Sequence, residues 1–442
     1  MSSRVVKLLF MASLLLLVFP VVAGASTSRV EGMAIQGDYI KDYTGIFTYL
    51  SNICCVGNLV YGELGPSFTV TGVDPNPPNG PVTGVIQDRA VGVVLGNLWD
   101  GRFGTWGIHM REIYPQLGQG DVTGNTGPGF LGVDPNANTN QSFDLMWGKK
   151  FGTASLGLDF NRAYGRLESG AFDLKSDIIN FDQFIMFATD DPNFRRNVTG
   201  FGAGVGFEMG PKTTVEGSFL YQNRTFEWTE TAAPAITYKD DGPSTYQVSA
   251  RLFWQWQPNV MVVPVFKYYS FDLTTKGSGT FSAPFAGITG AAVDASLKGW
   301  QAGLAGNWTV GSNDLLVLGL TFARNKDELT PSGGFLTSNT ETISPQLFAA
   351  LETHVNSWLT LRMGANKGAF YNQKIETATL TGTTTDKASG SPFSFALGAG
   401  IKLSTLQLDA TLNQDFAHNM PYFISGQTTP DLFPKVTATY SF

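Results

Sequence analysis

The chain has 442 residues with 15% charged residues, a net charge of −7, a mean hydropathy of −0.01, 51 Gly, 33 Phe and two Cys. The acidic balance excludes a basic nucleic-acid surface, and after residue 25 no apolar run is long enough for a spanning helix, which excludes a helical membrane protein. Many aromatics and glycines, few charges and no long apolar segment together point to a transmembrane β-barrel, whose apolar residues are dispersed at every second position.

At the start of the chain, Arg4 and Lys7 precede an apolar run over 8–22 and then Ala23-Gly24-Ala25. A positive flank, a short apolar core and a small-residue exit predict a secretory signal peptide over 1–25, cleaved before Ser26. Residues 26–57 do not alternate. They include Met33, Asp38, Asp42, Tyr43, Phe47 and Asn52 and are too mixed for a lipid-facing strand. We read them as a hatch or plug tucked into the barrel mouth from the periplasm; the competing reading is a disordered leader. Cys54 and Cys55 are adjacent, which disfavours a disulfide between them, and no metal-ligating partner lies near them in sequence.

From 58 to 442 alternating segments pair across turns. Seven short turns (98–102, 150–153, 209–213, 257–259, 311–314, 356–357, 404–405) are assigned to the periplasm. Eight longer connections (72–84, 114–141, 165–194, 228–243, 276–294, 326–339, 372–392, 416–431) are assigned to the cell exterior. The fold predicted is an all-β transmembrane antiparallel barrel of about sixteen strands, with fourteen as the other even count. Leu359, Leu361 and Met363 alternate with Thr360, Arg362 and Gly364, and Leu406, Leu408, Ala410 and Leu412 alternate with Gln407, Asp409, Thr411 and Asn413. Trp256, Trp308, Trp358 and Phe442 fall beside inner turns or the terminus and Trp228 at an outer end, where a girdle of aromatics belongs.

The inward register holds His109, Arg111, Asp144, Asp159, Glu216, Arg224, Arg251, Glu352, Arg362, Lys402 and Asp409. Two readings stand: these charges set an eyelet for small solutes, or they satisfy one another and the inserted segment. His109 and His354 read as solvated pore-wall residues, with no metal site or cofactor expected. His418 follows Asp415 in an outer connection, but hydrolysis needs further carboxylates that the sequence does not place, so no enzyme is expected. Gly202, Gly204 and Gly206 alternate with Phe201, Ala203, Val205 and Phe207, which predicts a strand whose inner face has no side chains, with room for an inserted segment, a loop or a channel. Residues 260–271 are apolar on both faces and contain Pro264; it and Pro345 are expected at strand ends or bulges. One outer connection is strongly apolar, with Ile178, Ile179, Phe181, Phe184, Ile185 and Phe187. Such a segment constricts the pore, captures lipophilic molecules or contacts another protein.

The last stretch, 435–442, alternates Val436, Ala438, Tyr440 and Phe442 with Lys435, Thr437, Thr439 and Ser441. It resembles the closing strand of bacterial outer-membrane barrels, which implies that Tyr440 and Phe442 form the end read by the barrel-assembly machinery. The region from Arg29 through Gly57-Asn58-Leu59-Val60-Tyr61-Gly62-Glu63-Leu64-Gly65 resembles the long-chain fatty acid transporter superfamily. Met33, Asp42 and Asn52 fall roughly where that family's pattern places them. The resemblance implies a hatch ahead of the first strand and apolar outer loops that capture hydrophobic molecules. The chain departs from the family in lacking an Asn-Pro-Ala element around Tyr49-Leu50-Ser51-Asn52, and the family usually has fourteen strands. The expectation is an outer-membrane channel or transporter that passes small molecules, hydrophobic ones among them, through the barrel lumen; the alternative is a non-conducting barrel that anchors or binds a protein through its outer loops. Expected partners are outer-membrane lipid, the assembly machinery and a small solute, with a homo-oligomer by analogy to porins of this size.

Overall fold

A segment with one apolar and one polar face is satisfied in a bilayer only when its sheet closes and leaves no unpaired edge. The computed structural model describes residues 27–73, 81–96, 98, 101–111, 141–167, 192–230, 236–240, 244–272, 275–278, 293–311, 314–331, 336–379, 382–413 and 432–442, and in it the closure is complete. The strands are β1 (Leu59–Val73), β2 (Pro81–Leu95), β3 (Thr105–Arg111), β4 (Gln141–Phe151), β5 (Ala154–Leu167), β6 (Pro192–Glu208) and β7 (Thr213–Glu230). They continue with β8 (Ile236–Asp240), β9 (Ser244–Gln257), β10 (Val260–Asp272), β11 (Thr275–Ser278), β12 (Val293–Val310), β13 (Asp314–Pro331) and β14 (Leu336–His354). The last are β15 (Leu359–Gly368), β16 (Tyr371–Thr379), β17 (Gly382–Gly390), β18 (Phe393–Leu403), β19 (Leu406–Leu412) and β20 (Val436–Ser441).

Sixteen of them form the wall, each antiparallel to its neighbours, and β1 pairs with β20 from Leu59↔Ser441 to Leu64↔Val436 to shut it. The other four extend it. β8 pairs with β7 and β11, and β16 pairs with β14 and β17. Connections 228–243, 276–294 and 372–392 therefore contain strand, and 326–339 shrinks because the β13–β14 ladder runs on to Leu329↔Ser338. The reason is chemical. A Thr-rich strand such as β17, exposed throughout, has no apolar face and no lipid signature, yet its backbone groups still pair with β16. The seven short turns each join two paired wall strands.

Side chains are arranged opposite to those of a soluble protein. Leu304, Leu318, Leu320, Phe266, Leu347, Leu361 and Met363 face out and are exposed, while Gln247, Ser249, Gln301, Thr321 and Thr437 face in and are buried. The Trp106 and Trp147 indole N–H groups both donate to the Phe103 carbonyl, at 3.1 and 2.8 Å, and exposed Trp254, Trp256 and Trp358 lie near other inner turns. Rings at the interface with a polar atom satisfied make the inner girdle. Pro345 lies where β14 changes partner from β15 to β16, accepting a bond from Ala369 N at 2.8 Å. Pro264 departs from expectation. It stands inside β10, where the ladder to β9 steps from Val262↔Trp254 to Val265↔Arg251 over the position that has lost its donor.

Residues 27–57 sit inside the barrel as one short helix, α1 (Thr27–Glu31), and three 3₁₀ turns, Gly37–Tyr39, Tyr43–Phe47 and Leu50–Cys55. Their apolar side chains find the inner wall. Met33, Ile35, Tyr39 and Ile40 pack with Phe253, Val263, Val265 and Phe348, while Tyr43, Ile46 and Ile53 pack with Tyr61, Val94 and Met146. This explains why 260–271 is apolar on both faces: one face meets lipid and the other meets the plug. The predicted signal peptide lies outside the described residues.

Candidate functional site

The junction between plug and wall is built first from absent side chains. A Cβ at Gly364 would fall on the Met33 carbonyl, one at Gly303 on the Tyr39 hydroxyl and one at Gly157 on the Leu50 carbonyl. The glycine face of β6 serves the same end, because Gly202 and Gly204 abut Leu50 and Gly206 abuts Ser51. Of the uses open to that face, the inserted segment takes it. Backbone and side chains of the plug thus sit in sockets that any larger residue would fill.

The second component is charge. Arg29 on α1 donates from Nε and Nη2 to Glu352 at 2.6 and 2.8 Å, Arg362 donates to the same carboxylate at 2.6 Å, and Arg362 Nη1 reaches Asp409 at 2.7 Å. Two cations and two anions alternate, all but one of them on the wall. Across the lumen Arg251, 2% exposed, donates to Glu216 at 2.6 Å and to the Asp38 carbonyl at 3.0 Å, and its guanidinium lies 3.8 Å over the Tyr49 ring. With its amide nitrogen toward Glu216, Asn52 donates to Glu216 Oε1 at 2.7 Å and accepts from Arg251 Nη2. Lys267 pairs with Asp38 at 2.6 Å and Lys435 with Glu31 at 2.8 Å. Neutral bonds complete the set: Ser28 with Thr437 at 2.7 Å, Thr27 to Glu63 at 2.8 Å, Tyr39 with Thr321 at 2.7 Å and Asn307 to the Tyr39 carbonyl at 2.7 Å. Charged hydrogen bonds in a water-poor interior hold geometry more tightly than neutral ones.

The structure thus brings Glu216, Arg251, Glu352, Arg362 and Asp409 together with Met33, Asp38 and Asn52, through bonds or socket contacts. His109 corrects the expectation of a solvated pore-wall residue: it is buried, bonded to Tyr61 and edge-on to Phe47 at 4.8 Å, because the plug covers it. His354 stands exposed at an inner turn, 3.8 Å from Asp314. Lys402 holds the inward register at the inner end of β18, and Tyr43 donates to Glu63 at 3.4 Å. Asp42 accepts from Thr44 at 2.5 Å, and burial pushes its carboxyl above the ordinary value. Burial likewise raises the Cys54 thiol to about 11. The side chains of Arg111 and Arg224, the apolar stretch 178–187, and Asp415 with His418 lie outside the described residues. Sequence reasoning missed Arg29, Tyr39 and Lys267; a signal existed for Lys267, the one charge in the apolar run 260–271.

Beside the plug lies a cavity of about 350 Å³. Val30, Gln36 and Phe47 of the plug bound it, together with Asp144, Met146, Asp159, Asn161, Leu220, Gln222 and Gln247 of the wall. Asn161 donates to Asp159 at 2.8 Å, and Gln247 Oε1 is buried without a hydrogen-bond partner. The lining is mixed, with apolar Met146, Leu220 and Phe47 next to carboxylates and amides. Among the described residues no cluster of His, Cys, Asp or Glu has the makings of a metal site.

A closed antiparallel barrel with an apolar exterior, an aromatic girdle and a polar interior filled by its own N-terminal segment is an outer-membrane β-barrel. No protein-family model and no curated protein matches the chain. Among solved structures it is similar to a Pseudomonas aeruginosa FadL homologue over 96% of this chain and 99% of that one, at 11% identity and a TM-score of 0.45. It is also similar to the Pseudomonas putida toluene transporter TodX (95% and 99%, 9% identity, TM-score 0.39) and to the CymD monoaromatic hydrocarbon channel (96% and 99%, 11% identity, TM-score 0.36). At these values the likeness is one of architecture.

Proposed function

We propose that the chain is a gated channel that passes small molecules across the outer membrane, with residues 27–57 as the gate. The observation that carries this reading is the kind of attachment the plug has. Besides the apolar packing of Met33, Tyr39, Ile46 and Ile53, it is held by ion pairs, hydrogen bonds and glycine sockets distributed around the lumen, with the Arg29–Glu352–Arg362–Asp409 chain at its head. Such contacts exchange with water at each step of release, whereas a wholly apolar interface would have to expose its surface at once. The mixed cavity suits a small molecule that is mainly apolar with a polar end, in keeping with the sequence resemblance to transporters of hydrophobic compounds. Stacked and exposed, Tyr440 and Phe442, with ring centres 6.1 Å apart, supply the end for the assembly machinery.

The test is conductance of the purified protein in planar bilayers against a variant lacking residues 26–57. The full chain is expected to stay mostly closed and the deletion variant to show large discrete steps. Silence in both, with the barrel verified by heat-modifiable gel mobility, overturns the channel reading and leaves the non-conducting anchor.

A further inference from the structure

The outer face of the barrel, at and just above the rim of the apolar band, carries a row of cations that neither the gate nor the lumen uses. Cross-strand pairing sets Lys298 opposite Lys326, Lys326 opposite Glu341, Glu341 opposite Lys374 and Lys374 opposite Lys387. Arg324 lies two residues from Lys326 on the same face, in line with exposed Leu318 and Leu320. Three acids partly neutralise the row: Glu341 takes Arg324, Glu328 takes Lys326 and Glu376 takes Lys374, each at 2.5 Å. Lys298 and Lys387 are exposed and have no ion pair among the described residues. Like charges directly opposite one another on a sheet are destabilising, and here the juxtaposition occurs twice.

The height of the row decides what relieves it. Trp308, beside an inner turn, stands ten residues from Lys298 on β12, about 33 Å along the strand. At a barrel tilt of about 40° that is about 25 Å of height, the span of the apolar band. Exposed Leu304, Leu318 and Leu320 fill the interval, and Trp300 stacks on Phe322 at 5.4 Å immediately below the cations. The lysines therefore stand at the headgroup plane of the outer leaflet, directly over a surface for acyl chains.

We propose that this row binds the phosphate groups of the outer-leaflet glycolipid, with the lipid's acyl chains on the apolar wall beneath. A phosphate between Lys298 and Lys326, or between Lys374 and Lys387, accepts charged hydrogen bonds from both and removes their repulsion. A lipid satisfies the cations and the adjoining apolar surface together, which a free anion does not. The inference is independent of whether the barrel conducts.

Native mass spectrometry of the full chain in detergent tests it, with diphosphoryl lipid A, its dephosphorylated form and inorganic phosphate as probes. Wild type is expected to retain the diphosphoryl lipid about tenfold or more over the dephosphorylated one. The triple variant Lys298→Gln, Lys326→Gln, Lys387→Gln is expected to lose that preference while keeping its heat-modifiable mobility, and Lys150→Gln at the inner end is expected to keep it. Equal retention of both lipids by wild type, an unchanged preference in the triple variant, or loss of preference in Lys150→Gln overturns the proposal. Displacement of the lipid by millimolar inorganic phosphate does so too, by showing a free-anion site.

Discussion

Replacing Arg29 by Gln is the most direct way to loosen the gate. The change removes two charged hydrogen bonds to Glu352, at 2.6 and 2.8 Å. Glu352 keeps Arg362, so that carboxylate is not orphaned and the loss stays below the roughly 3–5 kcal/mol that follows when a buried ion loses its partner. Charged hydrogen bonds contribute about 1.5–3 kcal/mol each, and the buried guanidinium recovers part of its hydration cost when removed, so plug docking should weaken by about 2–3 kcal/mol. That raises the ratio of released to docked plug roughly 30- to 150-fold. Lys435→Gln is the internal comparison, because its partner Glu31 is half-exposed, at 49%, and such a pair is worth about 1 kcal/mol or less. The assay is open probability in planar bilayers. If Arg29→Gln opens the channel no more than Lys435→Gln does, while the variant lacking 26–57 conducts, the Arg29 latch is refuted.

Three further outcomes are expected. Gly364→Leu and Gly303→Leu put a side chain where Met33 and Tyr39 sit, so in a Cys55→Ser background maleimide labelling of Cys54 should rise while the barrel keeps its folded mobility; unchanged labelling would contradict the socket packing. Burial raises the Asp42 carboxyl, so the docked state binds that proton more tightly, and this residue's own contribution to docking is greatest in acid and falls as pH rises through the docked-state value. Asp42→Asn should therefore hold the gate more firmly than wild type at pH 8, with the difference shrinking toward pH 4, and parallel profiles would count against burial as the cause. Deleting Phe442 should lower the amount of folded barrel in outer-membrane fractions, an effect that quantitative immunoblotting of heated and unheated samples would reveal or rule out.

The barrel was legible because lipid imposes a period of two on every crossing strand, and the short turns punctuate it. The β8–β11 pair and the β16–β17 hairpin were not, since strands in water need only pair their backbone and owe lipid no pattern. Gly202, Gly204 and Gly206 announced a space without naming its occupant. The double-faced apolar run in β10 was the complementary half of the same message, as Val263 and Val265 are apolar for the plug's sake. His109 misled because a polar residue on an inner face reads as wet until something covers it. The ion-pair chain of Arg29, Glu352, Arg362 and Asp409 spans residues far apart in sequence, so only the closed wall brings them together.

The plug's helix touches the far end of the chain: Ser28 bonds Thr437 and Glu31 pairs with Lys435. Residues 409 and 404 positions apart meet in these contacts, so this end of the helix acquires its partners only when β20 takes its place beside β1. A seam that zipped one residue out of step would turn Thr437 toward lipid and present Ala438 to the helix instead. Misassembly at the seam would then appear as leakage, because the plug's helix loses the Thr437 and Lys435 contacts that fix its end to the wall.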